Sequence, residues 1–116
     1  MEGDIRLRDD NGWGRGRLEV FRSGFWGTVC GPLEPSAADV ACRQIGYDRG
    51  ETVEWDPMNP MACEEQAIWM SGVMCYGYEA RLMECRHATH AQVCSHSGDV
   101  YLQCHHNDVS SSKSLL

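Results

Sequence analysis

The sequence lacks any long apolar run. No stretch approaches the ~20 apolar residues that a membrane-spanning helix needs, and Met1 to Asp10 has no apolar core of the kind found in signal peptides. We therefore expect no direct insertion into a membrane. Since the cysteine content favours export, we also expect Met1 to begin a piece of a longer exported protein.

Recognisable catalytic motifs are also absent. There is no Gly-x-Ser-x-Gly nucleophile turn, no phosphate-binding loop and no His-Glu-x-x-His metal motif. A chain of 116 residues makes one domain and leaves little room for a cleft walled by two layers of structure. Adjacent acids such as Glu64 and Glu65 are more typical of a solvated surface than of a paired acid and base. We predict that the chain is not an enzyme.

Net positive charge is lacking as well, because 17 acidic residues outnumber 10 basic ones and the formal charge is −7. Bulk electrostatics of this sign disfavour nucleic acid and other polyanions as general partners. The charge is uneven, since residues 5–22 are rich in arginine and residues 48–65 are rich in Asp and Glu. We predict no nucleic acid as a specific partner, while the early arginines leave local binding of an anion open.

Against these absences stand seven cysteines. A cytosolic protein of this size rarely carries so many thiols unless they bind metal or perform redox chemistry, whereas small extracellular domains pair cysteines to supplement a limited core. We therefore predict an extracellular protein, secreted or the ectodomain of a membrane protein, with a disulfide framework. Spacing alone leaves the pairing open. Six of the cysteines lie among short apolar alternations, namely Cys30, Cys42, Cys75, Cys85, Cys94 and Cys104.

Residues 17–30 predict a β-hairpin. Leu18 and Val20 alternate with polar or aromatic residues, and the Ser-Gly turn that follows ends at Gly24, which can adopt the positive φ of a tight hairpin. Residues 5–8 alternate in the same way and predict an earlier strand with an apolar inner face.

Residues 35–46 predict the one well-marked helix, with Ser36 as its N-cap and Gly46 as the left-handed residue after its end. Cys42 shares a face with alanines and Ile45, so we expect it to point into the core.

Residues 47–66 have no clean periodicity and predict a long surface loop, a kind of segment that often binds partners. Residues 67–75 predict a strand broken at a Ser-Gly pair, residues 78–84 a short helical turn, and residues 100–104 the last strand.

Several specific segments occur in a fixed order along the chain: Gly16-Arg-Leu-Glu-Val20, Gly24-Phe-Trp-Gly-Thr-Val-Cys30, Val40-Ala-Cys-Arg-Gln-Ile-Gly46, Ile68-Trp-Met70, Val73-Met-Cys75, Glu84-Cys85 and Cys94-Ser-His96. Together they closely resemble the scavenger receptor cysteine-rich (SRCR) domain. The resemblance implies an α+β fold, a small disulfide-bonded domain whose curved, mostly antiparallel β-sheet cradles one α-helix. We assign residues 4–105 to this domain and residues 106–116 to a Ser-rich tail or linker.

The resemblance also implies a pairing of six cysteines. The eight-cysteine branch of the family has a further bridge whose partners would fall near Trp13 and at Tyr47, and neither is cysteine. The chain is therefore similar to the six-cysteine branch, seen in macrophage scavenger receptors. The implied pairs are Cys30 with Cys94, Cys42 with Cys104, and Cys75 with Cys85.

Cys63 is left over, in a loop where the family pattern has no cysteine. We favour an unpaired thiol of no consequence. The alternative is an intermolecular bridge that makes a dimer or tethers another domain.

Many members of the family bind calcium or magnesium through two Asp just after the cysteine matching Cys30 and a Glu shortly before the residue matching Asp99. Here that first stretch begins with Gly31, and Gly98 occupies the Glu position, so Asp99 alone of the acidic set is retained. A second cation site of some members is also depleted, although Glu79 remains. We predict no family-type metal site and no cofactor.

Zinc is the competing metal interpretation, because Cys85, His87 and His90 are spaced like ligands and Cys94 and His96 follow. Zinc requires deprotonated thiols, however, and the implied disulfides already use both cysteines. We predict surface or hydrogen-bonded histidines instead.

Four arginines and one tryptophan are the candidate ligand contacts. Arginine pairs well with carboxylate, sulfate or phosphate, although outward faces of edge strands account for these arginines equally well. An exposed tryptophan in a loop can anchor a partner. The residues are Arg6, Arg8, Arg15, Arg17 and Trp55.

These observations predict a noncatalytic extracellular module that binds a protein or a polyanionic ligand. The alternative is an accessory domain of a secreted enzyme, since similar domains accompany trypsin-like proteases and lysyl oxidases.

Overall fold

The computed structural model describes residues 1–8, 14–54, 66–88 and 94–107. These residues contain seven β-strands, one α-helix and two short 3₁₀ helices. The strands are β1 (Ile5–Arg8), β2 (Arg15–Arg22), β3 (Phe25–Val29), β4 (Arg49–Val53), β5 (Ile68–Met74), β6 (Arg86–Ala88) and β7 (Tyr101–His105). The helix α1 spans Pro35–Gln44, and the 3₁₀ helices span Leu82–Glu84 and His96–Gly98.

The strands form one curled sheet in the order β4-β7-β2-β3-β5-β6, with β1 paired to β2. Every pair of strands is antiparallel except β3 with β5, which run parallel. The predicted fold class, a curved and mostly antiparallel sheet that cradles one helix, is confirmed.

The hairpin of β2 and β3 turns where the sequence predicts. Ser23 and Gly24 both have positive φ, at 54° and 87°. Two such residues match the right-handed twist of the flanking strands. The turn sets the register that places Val20 opposite Gly27.

The N-cap of helix α1 lies two residues earlier than predicted. Glu34 is the N-cap and Pro35 occupies the first turn, where its missing N–H costs nothing. The prediction of Ser36 as N-cap was wrong, because its hydroxyl instead donates to the carbonyl of Cys75 at 3.0 Å. Gly46 follows the helix end with φ 102°, as predicted.

The loop predicted over residues 47–66 is wrong for its first part, which forms β4. This strand has little apolar character, so the sequence pattern does not reveal it. It is held by pairing with β7 and by a hydrogen bond from the Gly50 amide to Asp39 Oδ1 at 2.9 Å. Gly50 also permits close packing on the helix, since a Cβ there would overlap with Cys42 Sγ.

Two further strand details differ from the prediction. The Ser-Gly pair does not end β5, because the strand continues through Gly72, with φ 58° and a shift of register. Strand β6 was not predicted, as three residues with exposed ends carry no readable alternation.

The apolar core lies between α1 and the sheet. Leu18, Val20 and Leu102 contribute from the strands, and Ala38 and Val40 contribute from the helix. All five are fully buried. None of the helices in the described ranges is long and apolar enough to cross a membrane.

Three disulfides join described cysteines, and they are the pairs that the family resemblance implies: Cys30–Cys94, Cys42–Cys104 and Cys75–Cys85. The first two close loops of 64 and 62 residues. A disulfide that closes a loop of this length lowers the entropy of the unfolded chain and stabilises the folded state by about 4 kcal/mol. Cys63 lies outside the described residues.

Candidate functional site

The face of β2 opposite the helix carries a buried cluster of charges. Because side chains alternate along a strand, the apolar residues Leu18 and Val20 face the helix and Glu19 faces the other side. Strand pairing sets Arg6 of β1 directly opposite Glu19. Arg6 Nε donates to Glu19 Oε1 at 2.8 Å, and Arg17 Nε donates to Oε2 at 3.2 Å.

The Glu19 carboxylate is ionised inside this cluster. Burial by itself would raise its pKa, but the hydrogen bond from Gln66 Nε2 at 2.8 Å and the interactions with Arg6 and Arg17 outweigh burial. The pKa of Glu19 therefore lies below its ordinary value. Burial also disfavours the charge of Arg17, yet its hydrogen bond to Tyr101 and the nearby Glu19 raise the Arg17 pKa.

The arginines expected to contact a ligand occupy different environments. Arg17 is only 5% exposed and is committed to Glu19, so it does not present its guanidinium to an outside ligand. Arg6 is half-buried and lies over the Trp26 ring, 4.2 Å from its centroid, so it is also largely committed.

Arg8 and Arg15 are exposed. Arg8 is paired in register with Arg17, and Arg15 precedes Arg17 by two residues on β2, so both belong to the same sheet face. They are the two candidate arginines that this face leaves at the surface. Trp55 lies outside the described residues.

A second buried polar group ties the 3₁₀ helix at His96 to the sheet. His96 Nδ1 lies 2.9 Å from Asp99 Oδ2 and 3.3 Å from Thr28 Oγ1, and Nε2 lies 2.8 Å from the Gln66 carbonyl oxygen. A carbonyl oxygen only accepts, so Nε2 carries a proton and donates it there. The ring therefore has no lone pair at Nε2 with which to deprotonate a nucleophile.

Asp99, the acidic residue retained from the family cation site, belongs to this group. Burial raises the pKa of Asp99 above its ordinary value, even though hydrogen bonds with Thr28 and His96 favour the charged form. Its carboxylate is directed to protein groups. Sequence reasoning identified Asp99 as the one acidic residue retained from that site and had no signal for its contact with Thr28, which lies far away along the chain.

A cleft of about 460 Å³ opens beside this position. Its lining residues include several apolar ones and Glu54, whereas the side chain of Asp99, which is also in the lining, is fully buried. The lining residues are Gly31, Pro32, Leu33, Thr52, Val53, Glu54, Ser97, Gly98, Asp99, Val100 and Tyr101.

Metal ligation by cysteine has little chemical basis here. Within the described ranges, the one group of three potential ligands is Cys75, Glu79 and Cys85, whose ligand atoms lie within 4.8 Å of one another. Both sulfurs belong to one disulfide, so neither is a thiolate. Of the histidines considered for zinc, His87 has Nδ1 2.7 Å from the Cys85 carbonyl oxygen, and His90 lies outside the described residues.

Sequence reasoning missed one conspicuous surface. Tyr76 and Tyr78 are almost fully exposed and stack on each other, with 5.6 Å between ring centroids. The available signal was a Tyr-Gly-Tyr sequence directly after Cys75, which places two aromatic residues in a disulfide-bounded turn.

Comparison with known proteins identifies relatives over most of the chain. The family model for the scavenger receptor cysteine-rich domain matches residues 9–105. Lysyl oxidase homolog 2 of Gallus gallus is 42% identical over 91 residues, which are 77% of this chain and 12% of that protein. Lysyl oxidase homolog 4 of Homo sapiens is 40% identical over 92 residues, 78% of this chain and 12% of that protein. The chain thus spans only 12% to 13% of the curated relatives it matches.

Two solved structures are similar along nearly their whole length. The SRCR domain of mouse MARCO, in its dimeric form, has a TM-score of 0.68 and 31% identity, covering 85% of this chain and 94% of that one. The third SRCR domain of murine neurotrypsin has a TM-score of 0.65 and 34% identity, covering 87% of this chain and 94% of that one.

Proposed function

Because this chain belongs to the scavenger receptor cysteine-rich family, we propose that it is a noncatalytic extracellular module that binds a protein or a polyanionic ligand. The family match over residues 9–105 carries the proposal. The disulfides support an extracellular location, since such bonds persist in oxidising compartments.

Two features of the site support binding rather than catalysis. The buried histidine has its Nε2 proton committed to a backbone carbonyl, so it does not act as a general base at that atom. The buried Glu19 carboxylate is bound by two arginines and a glutamine, so it is ionised and enclosed. Neither group is presented to a substrate.

The candidate contacts for a polyanion are Arg8 and Arg15, with Arg6 at the inner end of the same face. Trp55 remains a proposed contact for a protein ligand. The overall charge of −7 disfavours nucleic acid as a specific partner. We also propose no cofactor and no direct membrane insertion.

The arginine proposal is tested by calorimetric titration of dextran sulfate into the oxidised chain and into the double variant Arg8→Ala/Arg15→Ala. We expect at least tenfold weaker binding by the double variant, because each guanidinium offers charge-assisted hydrogen bonds to sulfate. Arg86→Ala is the matched control, since Arg86 is exposed on β6, three strands from β2 at the other edge of the sheet. Equal binding by all three proteins would contradict the assignment to these arginines.

Calcium is added in a parallel titration. We expect no saturable heat and no change in dextran sulfate affinity, because Asp99 is bound by protein groups and Gly98 stands where the family has Glu. Calcium-enhanced binding would instead place the chain among cation-dependent members of the family.

A second candidate function is that of an accessory domain in a secreted enzyme such as a lysyl oxidase or a trypsin-like protease. The identity of 35% to 42% with lysyl oxidase homologs supports it. The coding sequence beyond Leu116 discriminates the two: an oxidase or protease domain there favours the accessory role, and collagen repeats or a membrane span nearby favour a receptor.

Dimerisation through Cys63 is a further proposal about partners. Nonreducing electrophoresis of the wild type and of Cys63→Ser tests it. A disulfide-linked dimer that disappears in the variant supports the bridge, and a monomeric wild type contradicts it.

A further inference from the structure

Three large exposed side chains lie together on the end of β5 and the loop that follows it. Met74, Tyr76 and Tyr78 are 57%, 81% and 79% exposed. The tyrosine rings are nearly parallel, with 10° between their planes. They belong to neither the arginine face nor the buried polar groups. Clustered exposed aromatic residues, unlike scattered ones, are typical of a protein contact surface.

Contacts within this loop order its backbone. The Cys75–Cys85 disulfide closes it over a separation of 10 residues. The Glu79 carboxylate accepts hydrogen bonds from the backbone amides of Tyr76 and Gly77, both at 2.9 Å. These bonds lower the pKa of Glu79, so the carboxylate that holds the loop is ionised near neutral pH.

Helix α1 also donates hydrogen bonds to the backbone of this loop. Ser36 Oγ donates to the Cys75 carbonyl oxygen at 3.0 Å, and the Arg43 guanidinium donates to the Gly77 carbonyl oxygen. The tyrosine pair is therefore displayed on a fixed backbone. A contact surface that is already ordered loses little conformational entropy on binding.

A small recess of about 130 Å³ opens beside the tyrosines, lined by Met74, Cys75, Tyr76 and Arg86. Its walls are mostly apolar, and the exposed Arg86, paired in register with Met74, belongs to its lining. The Glu79 carboxylate near the same disulfide accepts its hydrogen bonds from backbone amides. An apolar recess beside an exposed guanidinium favours a partner that has both an apolar and a negatively charged group. The guanidinium is a local positive charge on a chain whose net charge is −7.

We propose that the tyrosine surface, defined as Met74, Tyr76, Tyr78 and Arg86, binds a protein segment that presents an aliphatic side chain next to Asp or Glu. The aliphatic side chain fills the recess, and the carboxylate pairs with Arg86. This proposal rests on the proposed function as a binding module and specifies the partner. A sulfated polysaccharide would supply charge for Arg86 but no apolar side chain for the recess, so a peptide is favoured.

The test uses a phage-displayed library of random twelve-residue peptides, selected on the oxidised 116-residue chain alone and then compared on Tyr76→Ser/Tyr78→Ser. Phe25→Ser is the matched control, because Phe25 is 70% exposed on the separate β2–β3 turn. All variants change exposed side chains and are expected to share the wild-type melting temperature. Enriched peptides are then synthesised and their affinities measured.

We expect enriched peptides to combine Leu, Ile or Val with an acidic neighbour. Their affinity should fall at least tenfold in Tyr76→Ser/Tyr78→Ser and in Arg86→Glu, and should not change in Phe25→Ser. Peptides that are basic, or that bind the double tyrosine variant equally well, would overturn the proposal. So would dextran sulfate binding that depends on the tyrosines, because the occupant would then be a polysaccharide.

Failure of this proposal is distinguishable from failure of the proposed function. Suppose that the double tyrosine variant binds every selected peptide as tightly as the wild type, while dextran sulfate still binds through Arg8 and Arg15. The module then binds ligands, and only the assignment of the tyrosine surface is wrong.

Discussion

The two faces of strand β2 differ in what holds them, although they alternate along the same eight residues. Toward the helix, Leu18 and Val20 pack among apolar side chains and are fully buried. On the other face, Arg17 and Glu19 are also buried, at 5% and 1% exposed. Burial on the first face removes apolar area from water, and burial on the second requires that each charge finds a partner.

The difference shows which contacts depend on particular partner groups. Apolar packing is non-directional, so the helix-facing side tolerates substitutions that preserve volume. The opposite face requires Arg6 to stand directly across from Glu19, because a shift of one residue would remove the carboxylate from its donors. The polar face therefore depends on the exact pairing of charged groups, whereas the apolar face depends on burial and filled volume.

The largest expected effect is on the apolar face. Leu18→Ala should lower the free energy of unfolding by about 4 kcal/mol, because it removes a fully buried side chain and leaves a cavity. Chemical denaturation measures the change. Met74→Ala is the control, with an expected change below about 0.5 kcal/mol at an exposed position. Similar losses in both variants would contradict the assigned core.

The next effect is on the polar face. Glu19→Gln should lower the free energy of unfolding by about 3 kcal/mol, because Arg17 remains buried without its carboxylate. The double variant Arg17→Met/Glu19→Leu should recover most of that loss, since it removes both charges and keeps similar volume. If the double variant is less stable than Glu19→Gln, the pair of Arg17 and Glu19 is not replaceable by apolar side chains, which would contradict this expectation.

The smallest effect concerns pH. The folded pKa of Glu19 lies below its ordinary value of 4.5, so its contribution to stability is present above that pH and is lost as pH falls through the folded pKa. The pKa of Asp99 is raised from 3.8, so its contribution is full below that pH and is lost as pH rises through the folded pKa. Each group changes stability by at most about 1.4 kcal/mol per pH unit.

As pH falls into the acid range, the free energy of unfolding should therefore decrease less steeply in Glu19→Gln than in the wild type. It should decrease more steeply in Asp99→Asn. Urea denaturation at a series of pH values from neutral to strongly acidic measures both slopes. Slopes that change in the same direction for the two variants would contradict the opposite shifts of the two pKa values.

Local signals in the sequence correctly predicted the elements that depend on neighbouring residues. The turn at Ser23 and Gly24 and the end of α1 at Gly46 both require positive φ. A few adjacent residues therefore suffice to predict both features. The start of α1 was misplaced because the helix begins at Pro35 without a side-chain cap, and the Ser36 hydroxyl donates to Cys75 in a distant loop.

Strand β4 could not be predicted from its own residues. Its Arg-Gly-Glu-Thr-Val sequence has no apolar face, and its stability comes from pairing with β7 and from Asp39 of the helix. Tertiary pairing overrides weak local propensity in such strands. The disulfide pairs followed from family resemblance, since spacing alone allows many connectivities.

The candidate site was predicted only in part. Arginines were identified by residue type, but residue type does not distinguish the buried Arg17 from the exposed Arg15 two positions away on the same strand. The tyrosine surface was missed because exposure of Tyr76 and Tyr78 depends on the disulfide, on Glu79 and on helix α1 together.

By itself, the sequence determined the family, the hairpin, the helix and the cysteine framework, because short-range spacing and residue type encode them. Only the tertiary structure decided which charges are buried and which aromatic side chains are displayed. Those outcomes depend on groups far apart in the chain: Arg6 meets Glu19 across a strand pair, and Gln66 reaches the same carboxylate from 47 residues away. Local alternation predicts the burial of apolar residues, but the burial of a charged side chain and the exposure of an aromatic one depend on the assembled layers.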